Sequence, residues 1–229
     1  MPAYFAAKTL ERTVKEIPVG WVDEIIVVDD ASTDNTAEVA RSLGLKTIVH
    51  DKNTGYGGNQ KTCYKEALRA GADIVVMLHL DYQYDPQAVP ALVEPLLNGE
   101  ADAVFGSRLK IPGQARQGGM PGWKFWANKT LTFLENLVLG FGLSEYQTGL
   151  RAWSRQVLEI VPFEANSNDF AFDIEIVVQM KQYNFLRIKE VPIPTHYFSG
   201  ASAMGLKSSL VYGFKALYVL AGAVLKNVD

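Results

Sequence analysis

Short apolar runs rich in β-branched residues alternate with helical patterns over the first two thirds of the chain, which is the sequence sign of βαβ units. Glu24 to Asp29 (EIIVVD) predicts a strand buried on both faces, because its four apolar residues are consecutive rather than alternating. Ser32 and Asp34 offer N-caps to a helix running to Leu43, and Gly44 stands where a left-handed terminating residue is wanted. Thr47 to Val49 predicts a short strand, residues 57–70 a helix closed by Gly71, and Ile74 to Leu80 (IVVMLHL) another buried strand. Asp85-Pro86 starts a helix that reaches Leu97 and stops at Asn98-Gly99, and Ala103 to Gly106 predicts a fourth strand. The expected fold class is α/β, a mostly parallel central sheet flanked by helices.

Beyond Arg108 the run IPGQARQGGMPG is punctuated too heavily for regular structure and predicts a mobile loop. Trp123, Trp126, Ala127, Thr130, Leu131, Leu134, Leu137, Val138 and Phe141 then recur at helical spacing and give one strongly apolar face. A strand over residues 149–153, a helix over 172–182, a strand over 186–191 and a helix over 207–225 complete the pattern. In the last helix Leu210, Phe214, Leu217, Ala221 and Val224 share a face, with Lys215 and Lys226 roughly opposite. Such a basic amphipathic helix suits a membrane surface, although most apolar faces are core. No run of 18 or more apolar residues lacks a charge or polar cluster, so no membrane span is expected.

With 229 residues, 48% hydrophobic and 21% charged, the chain is expected to form one domain over 1–229 with a sizeable core. A net charge of −3 supplies no general attraction for nucleic acid, so an anionic ligand has to be held locally. The single cysteine, Cys63, forbids an internal disulfide and fits a reducing, cytoplasmic setting. Together with His50, it is read as packing or surface.

Candidate chemistry concentrates at strand ends, where open α/β sheets bind ligands. One strand ends in Asp29-Asp30 and another runs into His79-Leu80-Asp81-Tyr82-Gln83-Tyr84-Asp85. Adjacent carboxylates repel unless a cation lies between them, and alternation puts His79, Asp81 and Gln83 on one side, a nitrogen and oxygen set suited to Mg²⁺ or Mn²⁺. Alternatively, Asp81 and Asp85 merely cap the next helix. The glycine-rich turn from Asn53 through Gly55 to Lys61 would bring backbone N–H groups and a positive helix end to phosphates, or would be only a tight turn before a helix. Its spacing is neither the dinucleotide fingerprint nor a Walker A loop.

In order along the chain, IIVVDDASTDNT, NTGYGGN, DYQYDP, GSR at 106–108 and TGLRAWSR at 148–155 resemble the GT-A glycosyltransferases of family 2, most of all the dolichol-phosphate mannose synthase branch. The resemblance runs from residue 2 to about residue 200. It implies a GT-A fold with a nucleotide-binding part over about 1–108, an acceptor side over about 109–205 and the amphipathic helix over about 207–226. It also implies an inverting enzyme that moves a sugar from a nucleotide-diphosphate donor, GDP-mannose or a UDP-hexose, to polyprenyl phosphate in cell-envelope chemistry. Pro2 and Tyr4 match residues lining the base, and Asp30 the acid that recognises base or ribose. His79 and Asp81 fall on the metal motif, with Gln83 the next ligand. Arg108 and Arg151 match arginines near an acceptor phosphate, and Glu175 an acid bordering that site. The location implied is cytoplasmic, peripheral on the inner face of the membrane.

The chain departs from the pattern in three places. It starts inside the motif of the first strand, which points to a trimmed or misassigned start and a sheet one member short. His79 replaces an aspartate, removing a charge from the metal site. The basic residues expected near the C-terminal strand are absent from Thr195 to Ser202, so His196, Lys110 or Arg116 would have to substitute. A saccharide hydroxyl acceptor would need a general base, for which Glu145 and Asp169 are candidates, whereas a lipid phosphate needs only positioning by Arg108, Arg116 and Arg151. The competing readings are a family 2 enzyme acting on a saccharide hydroxyl and a nucleotide-sugar binding module that has lost catalysis. A nucleotidyltransferase would show a basic glycine-rich motif at the start of the chain, which this sequence lacks.

Overall fold

The computed structural model describes residues 1–81, 83–194 and 205–226. Among the described residues seven strands run β1 (Pro2–Ala3), β2 (Ile26–Asp29), β3 (Lys46–Val49), β4 (Ile74–Met77), β5 (Ala103–Ser107), β6 (Arg151–Ser154) and β7 (Ile188–Pro192). The first three form a parallel sheet in the order β1-β2-β3, and the others a second sheet in the order β4-β6-β5-β7. In that second sheet β6 is antiparallel to both its neighbours and only β5 and β7 are parallel, so the parallel rule holds for three of the five pairings. The sheet does not lose its first member as expected: Pro2 and Ala3 pair with Val28 and Asp29. Among the described residues no ladder joins the two sheets, and a cavity of about 250 Å³ with Met1, Ile26 and Met77 in its wall lies between them.

Helices α1 (Leu10–Lys15), α2 (Thr36–Ser42), α3 (Tyr56–Arg69), α4 (Val89–Leu97), α5 (Gln114–Gln117), α6 (Gly122–Leu139), α7 (Arg155–Ile160), α8 (Phe172–Gln182) and α9 (Leu206–Lys226) surround the sheets. The expected loop at 111–122 contains α5, pinned because Leu109, Ala115 and Met120 are buried together against Phe125. The largest core side chain, Trp153, stacks edge-on against Phe105 and donates its indole N–H to Tyr64 at 2.9 Å. Burying that N–H with a partner avoids the cost of an orphaned donor.

Two helices sit the opposite way round from an ordinary amphipathic helix. On α6 the buried residues are Lys124, Asn128, Thr132, Glu135 and Leu139, while Trp126, Phe133 and Leu137 are exposed. On α9 the packed residues are Tyr212, Ala216, Leu220 and Ala223, and the apolar face carrying Leu210, Phe214, Leu217, Ala221 and Val224 points outward. Although Ser208, Ser209 and Lys215 interrupt it, α9 is by length and composition long and apolar enough to cross a membrane, with mean hydropathy 1.5 over Ser208–Leu225. Its packing against α6 and α8 lays it along the body. The side chain of Lys226 lies outside the described residues.

Candidate active site

A cavity of about 510 Å³ opens between α6 and α9, beside the loop that follows β4. Its polar lining includes Tyr56, His79, Asp81, Gln83, Arg108, Lys124 and Asp173, and its apolar lining includes Trp123, Trp126, Leu131, Leu134, Phe214 and Leu217. A volume of a few hundred Å³ with a few convergent polar groups is the usual form of a small-molecule site.

The structure brings His79, Asp81 and Gln83 to one cavity. The His79 ring stacks on Tyr56, 5.4 Å between centroids and 5° between planes, and Tyr56 in turn donates to Asp173 at 2.8 Å. Burial lowers the His79 pKa to about 3, so its imidazole is neutral near pH 7 and keeps a lone pair. Gly149 closes over the same ring: a Cβ there would fall 2.7 Å from His79 Cδ2, so a side chain would displace the imidazole. Asp81 accepts the Gln83 backbone N–H at 3.1 Å, and burial raises its pKa against the pull of Arg108 and Lys124. The Gln83 amide nitrogen is buried without a partner. Among the described residues no group of three His, Cys, Asp or Glu gathers as a metal cluster. A neutral imidazole and one carboxylate nevertheless fit a hard divalent cation whose other ligands come from a bound diphosphate and water, and the unpartnered Gln83 Nε2, a donor, suits a diphosphate oxygen.

Arg108, at the end of β5, is buried against Glu145. Its backbone N–H and Nε each donate to that carboxylate at 2.8 Å, Nη2 closes the ion pair, and Nη2 also reaches the Gln147 carbonyl at 2.5 Å. Asn128 of α6 adds a donor to Glu145 at 3.2 Å. Further along α6, Thr132 donates to the Gln147 side-chain oxygen at 3.1 Å and Gln147 donates to Glu135 at 2.6 Å. The polar inner face of α6 thus fixes the segment that holds Arg108. Lys124, on the same face, was missed because sequence reading followed the apolar stripe; the polar residues at 124, 128, 132 and 135 were the available signal.

Burial pushes the Glu135 carboxyl up to about 8, with one oxygen unpartnered. The folded chain therefore holds a proton that the unfolded chain releases above about pH 4.5, and this group's contribution to stability falls as pH rises from there to about 8. Glu135→Gln is expected to leave the melting midpoint nearly unchanged at pH 4.5 and to stabilise the chain by on the order of 3 kcal/mol at pH 8. Thermal melts at both pH values check this; the same change at both would sink it.

Other expected site residues are placed elsewhere. Arg151 is buried and spends its guanidinium on the Thr148, Asp173 and Tyr146 carbonyls at 2.8 to 2.9 Å, stacked over Phe105, so it holds the site's frame and does not line the cavity. Arg116 lies over Gly122, also outside the lining. Glu145 is fully buried by Arg108, and Asp169 is paired with Lys215, which leaves neither as an open general base. Lys110 pairs with Glu190 at 3.4 Å. Glu175 accepts from Ser167. His196 and the segment from Thr195 to Ser202 lie outside the described residues, as does Tyr82.

The glycine turn is also closed off. Asp30 accepts from His50, from the Thr54 N–H and hydroxyl, and from the Gly55 N–H, all within 3.0 Å. Asn53 folds back on the Gly55 N–H, Lys61 is held by Asn166 and Asn168, and the Gly57 N–H donates to the Asn168 carbonyl at 2.8 Å. The start of α3 is stoppered by main chain, not open to a phosphate. Gly55, at φ 86°, is required there, since a Cβ would meet Asn168 O at 2.6 Å. Pro2 lies in β1, and Tyr4 just beyond it is exposed and edge-on to Phe5. Phe5 and Ala31, both at positive φ, mark the neighbouring ends of β1 and β2, a strain that commonly accompanies a ligand edge.

Residues 1–162 match the family described as glycosyl transferase family 2. A UDP-N-acetylglucosamine–dolichyl-phosphate N-acetylglucosaminyltransferase of Methanococcus voltae is 31% identical over 96% of this chain and 92% of its own length. The low-salt glycan biosynthesis hexosyltransferase Agl6 of Haloferax volcanii is 33% identical over 75% of this chain and 40% of its own. Glucosyl-3-phosphoglycerate synthase from Mycobacterium tuberculosis, solved with Mn²⁺, UDP-glucose and phosphoglyceric acid, superposes with a TM-score of 0.73 at 21% identity, covering 97% of this chain and 77% of that one. That likeness establishes the GT-A fold. With the family matched over most of its length, the chain belongs to glycosyl transferase family 2 and is a glycosyltransferase.

Proposed function

We propose that the chain transfers a sugar from a nucleotide-diphosphate donor to polyprenyl phosphate, with inversion at C1, as one domain over 1–229 working at the inner membrane face. The observation that carries this is a single cavity in which Arg108 and Lys124 stand beside Asp81 while its apolar lining comes from α6 and α9. A phosphate monoester on an isoprenoid chain matches both parts. A UDP-linked hexose or N-acetylhexosamine is favoured as donor by the Methanococcus relative, with GDP-mannose the alternative.

In this reading Tyr4 meets the base, while His79, Asp81 and Gln83 hold Mn²⁺ or Mg²⁺ against the donor diphosphate. The cation would supply charge stabilisation to that leaving group. Arg108 and Lys124 position the acceptor phosphate, whose oxygen attacks C1; the C1–O bond to the diphosphate breaks, and the electron pair leaves with the nucleotide. A phosphate oxygen is already ionised near pH 7, so no general base is required. The engagement of Glu145 and Asp169 in ion pairs supports this scheme over a saccharide hydroxyl acceptor.

The test incubates the chain with Mn²⁺ and UDP-N-acetylglucosamine, UDP-glucose or GDP-mannose, with and without polyprenyl phosphate. Acceptor-dependent release of nucleoside diphosphate and a solvent-extractable sugar lipid is the expected result. Transfer only to a soluble saccharide would replace the acceptor assignment, and donor binding without release would identify a binding module.

A further inference from the structure

His79 lines the cavity with Asp81, and of its two ring nitrogens only the one without a hydrogen can meet a cation. Three elements of the fold settle which one that is. Tyr56 opens α3, His79 follows β4, and Asp173 lies in the first turn of α8. The Tyr56 hydroxyl has a single hydrogen and donates it to Asp173 Oδ2 at 2.8 Å. The other Asp173 oxygen accepts from Gln60 at 3.2 Å and lies 3.7 Å from Arg151 Nη1. A carboxylate set among donors only accepts, so the hydroxyl hydrogen stays on that side and the Tyr56 oxygen is left as an acceptor. His79 Nε2 lies 3.4 Å from that oxygen. Nε2 therefore carries the ring hydrogen, and Nδ1 keeps the lone pair.

The Nε2 edge is also walled in. A Cβ on Gly149 would fall 2.8 Å from Nε2 and 3.5 Å from Tyr56 Oη, so main chain already lies against that edge. Gly149 is itself pinned, since its N–H donates to the Tyr84 hydroxyl at 2.8 Å. The Tyr56 ring is held between Phe170, 4.4 Å away between centroids, and the parallel His79 ring at 5.4 Å. A cation with its own ligands has no room at Nε2, and the ring has no room to turn over.

We propose that Tyr56 and Asp173 are positioning residues that hold His79 as an Nδ1 ligand, through a relay from the His79 Nε2–H to the Tyr56 hydroxyl and on to the Asp173 carboxylate. The consequence for the cation rests on the reading above, in which His79 faces the donor diphosphate. Metal-binding histidines commonly donate their second N–H to a carboxylate or a carbonyl, which fixes the ring and raises its basicity. Here a tyrosine is interposed. His79 removes a charge by standing where the family pattern has an aspartate, and the relay answers that loss by letting the Asp173 carboxylate act on the imidazole through Tyr56.

Long-range ¹H–¹⁵N spectra of the histidine rings in the metal-free full chain read the tautomer directly. The chain has three histidines, and the signals lost in His79→Gln identify the ring in question. The Nε2–H form is expected for His79 at about pH 7; an Nδ1–H form or an even mixture would overturn the proposal. With UDP and Cd²⁺, a diamagnetic stand-in for Mn²⁺, the shift should be confined to Nδ1, and a shift at Nε2 would overturn it as well. No shift at either nitrogen, with the tautomer as expected, would remove the cation from His79, a failure of the reading above and not of the relay. Tyr56→Phe keeps the stacked ring and breaks the relay. Its Mn²⁺ affinity in the presence of UDP is expected to fall by ~10-fold or more, with UDP binding in the absence of metal unchanged and the Nε2–H population reduced. Wild-type Mn²⁺ affinity and an unchanged tautomer in that variant would mean that stacking alone orients the ring, and the relay would be discarded. The wild-type spectra decide even if the variant fails to fold.

Discussion

Asp81→Asn is expected to lower turnover by about 10³-fold while leaving the fold intact, the scale seen when a group stabilising a developing charge is removed. The asparagine keeps the shape and can still accept the Gln83 N–H that Asp81 takes at 3.1 Å. What it loses is the only carboxylate that is both in the cavity and free of an ion pair among the described residues, since Glu145 is spent on Arg108 and Asp173 lies 3.7 Å from Arg151. Burial already holds the Asp81 pKa above its ordinary value, so removing the charge should not cost stability. The expected signature is therefore a split: an unchanged melting midpoint without ligand, but loss of the Mn²⁺-dependent part of the shift given by a nucleoside diphosphate. A variant that kept a tenth or more of wild-type turnover, or the full metal-dependent shift, would remove Asp81 from this role.

The strands and the acids at their ends were legible because consecutive apolar residues and a following Asp leave little choice of local structure: β2 and β4 lie within EIIVVD and IVVMLHL, although β4 stops at Met77 and leaves His79 beyond the strand. The site was legible only in part. Periodicity locates the two stripes of a helix but does not say which stripe turns inward, and α6 turned its polar one, carrying Lys124 into the cavity. The glycine turn read as a phosphate cradle because its composition allows one; the Asn168 carbonyl that fills it lies more than 100 residues away in sequence. Arg151 failed for the same reason. Its partners are main-chain carbonyls, which leave no mark in a sequence. The short helices α1 and α7, six residues each, are set by tertiary packing more than by a periodic pattern.

Glu145→Ala should be the most destabilising single change in the site. It would remove the carboxylate that holds the Arg108 guanidinium, 2% exposed, and breaking a buried ion pair from one side costs about 3 to 5 kcal/mol. In a chain of 229 residues that corresponds to a fall in melting midpoint of about 10 °C. Replacing both partners with apolar residues of similar volume, Arg108→Met with Glu145→Leu, removes the charge and its counter-charge together and should recover most of the loss. Activity should not follow stability. If Arg108 positions the acceptor phosphate, the double variant folds, is still protected by donor nucleotide, and fails to transfer sugar to polyprenyl phosphate. Recovery of transfer along with stability would make the pair a structural clamp and leave the phosphate to Lys124. A double variant as unstable as Glu145→Ala would mean that the Asn128 and Gln147 contacts, not the ion pair, carry the stability of this region.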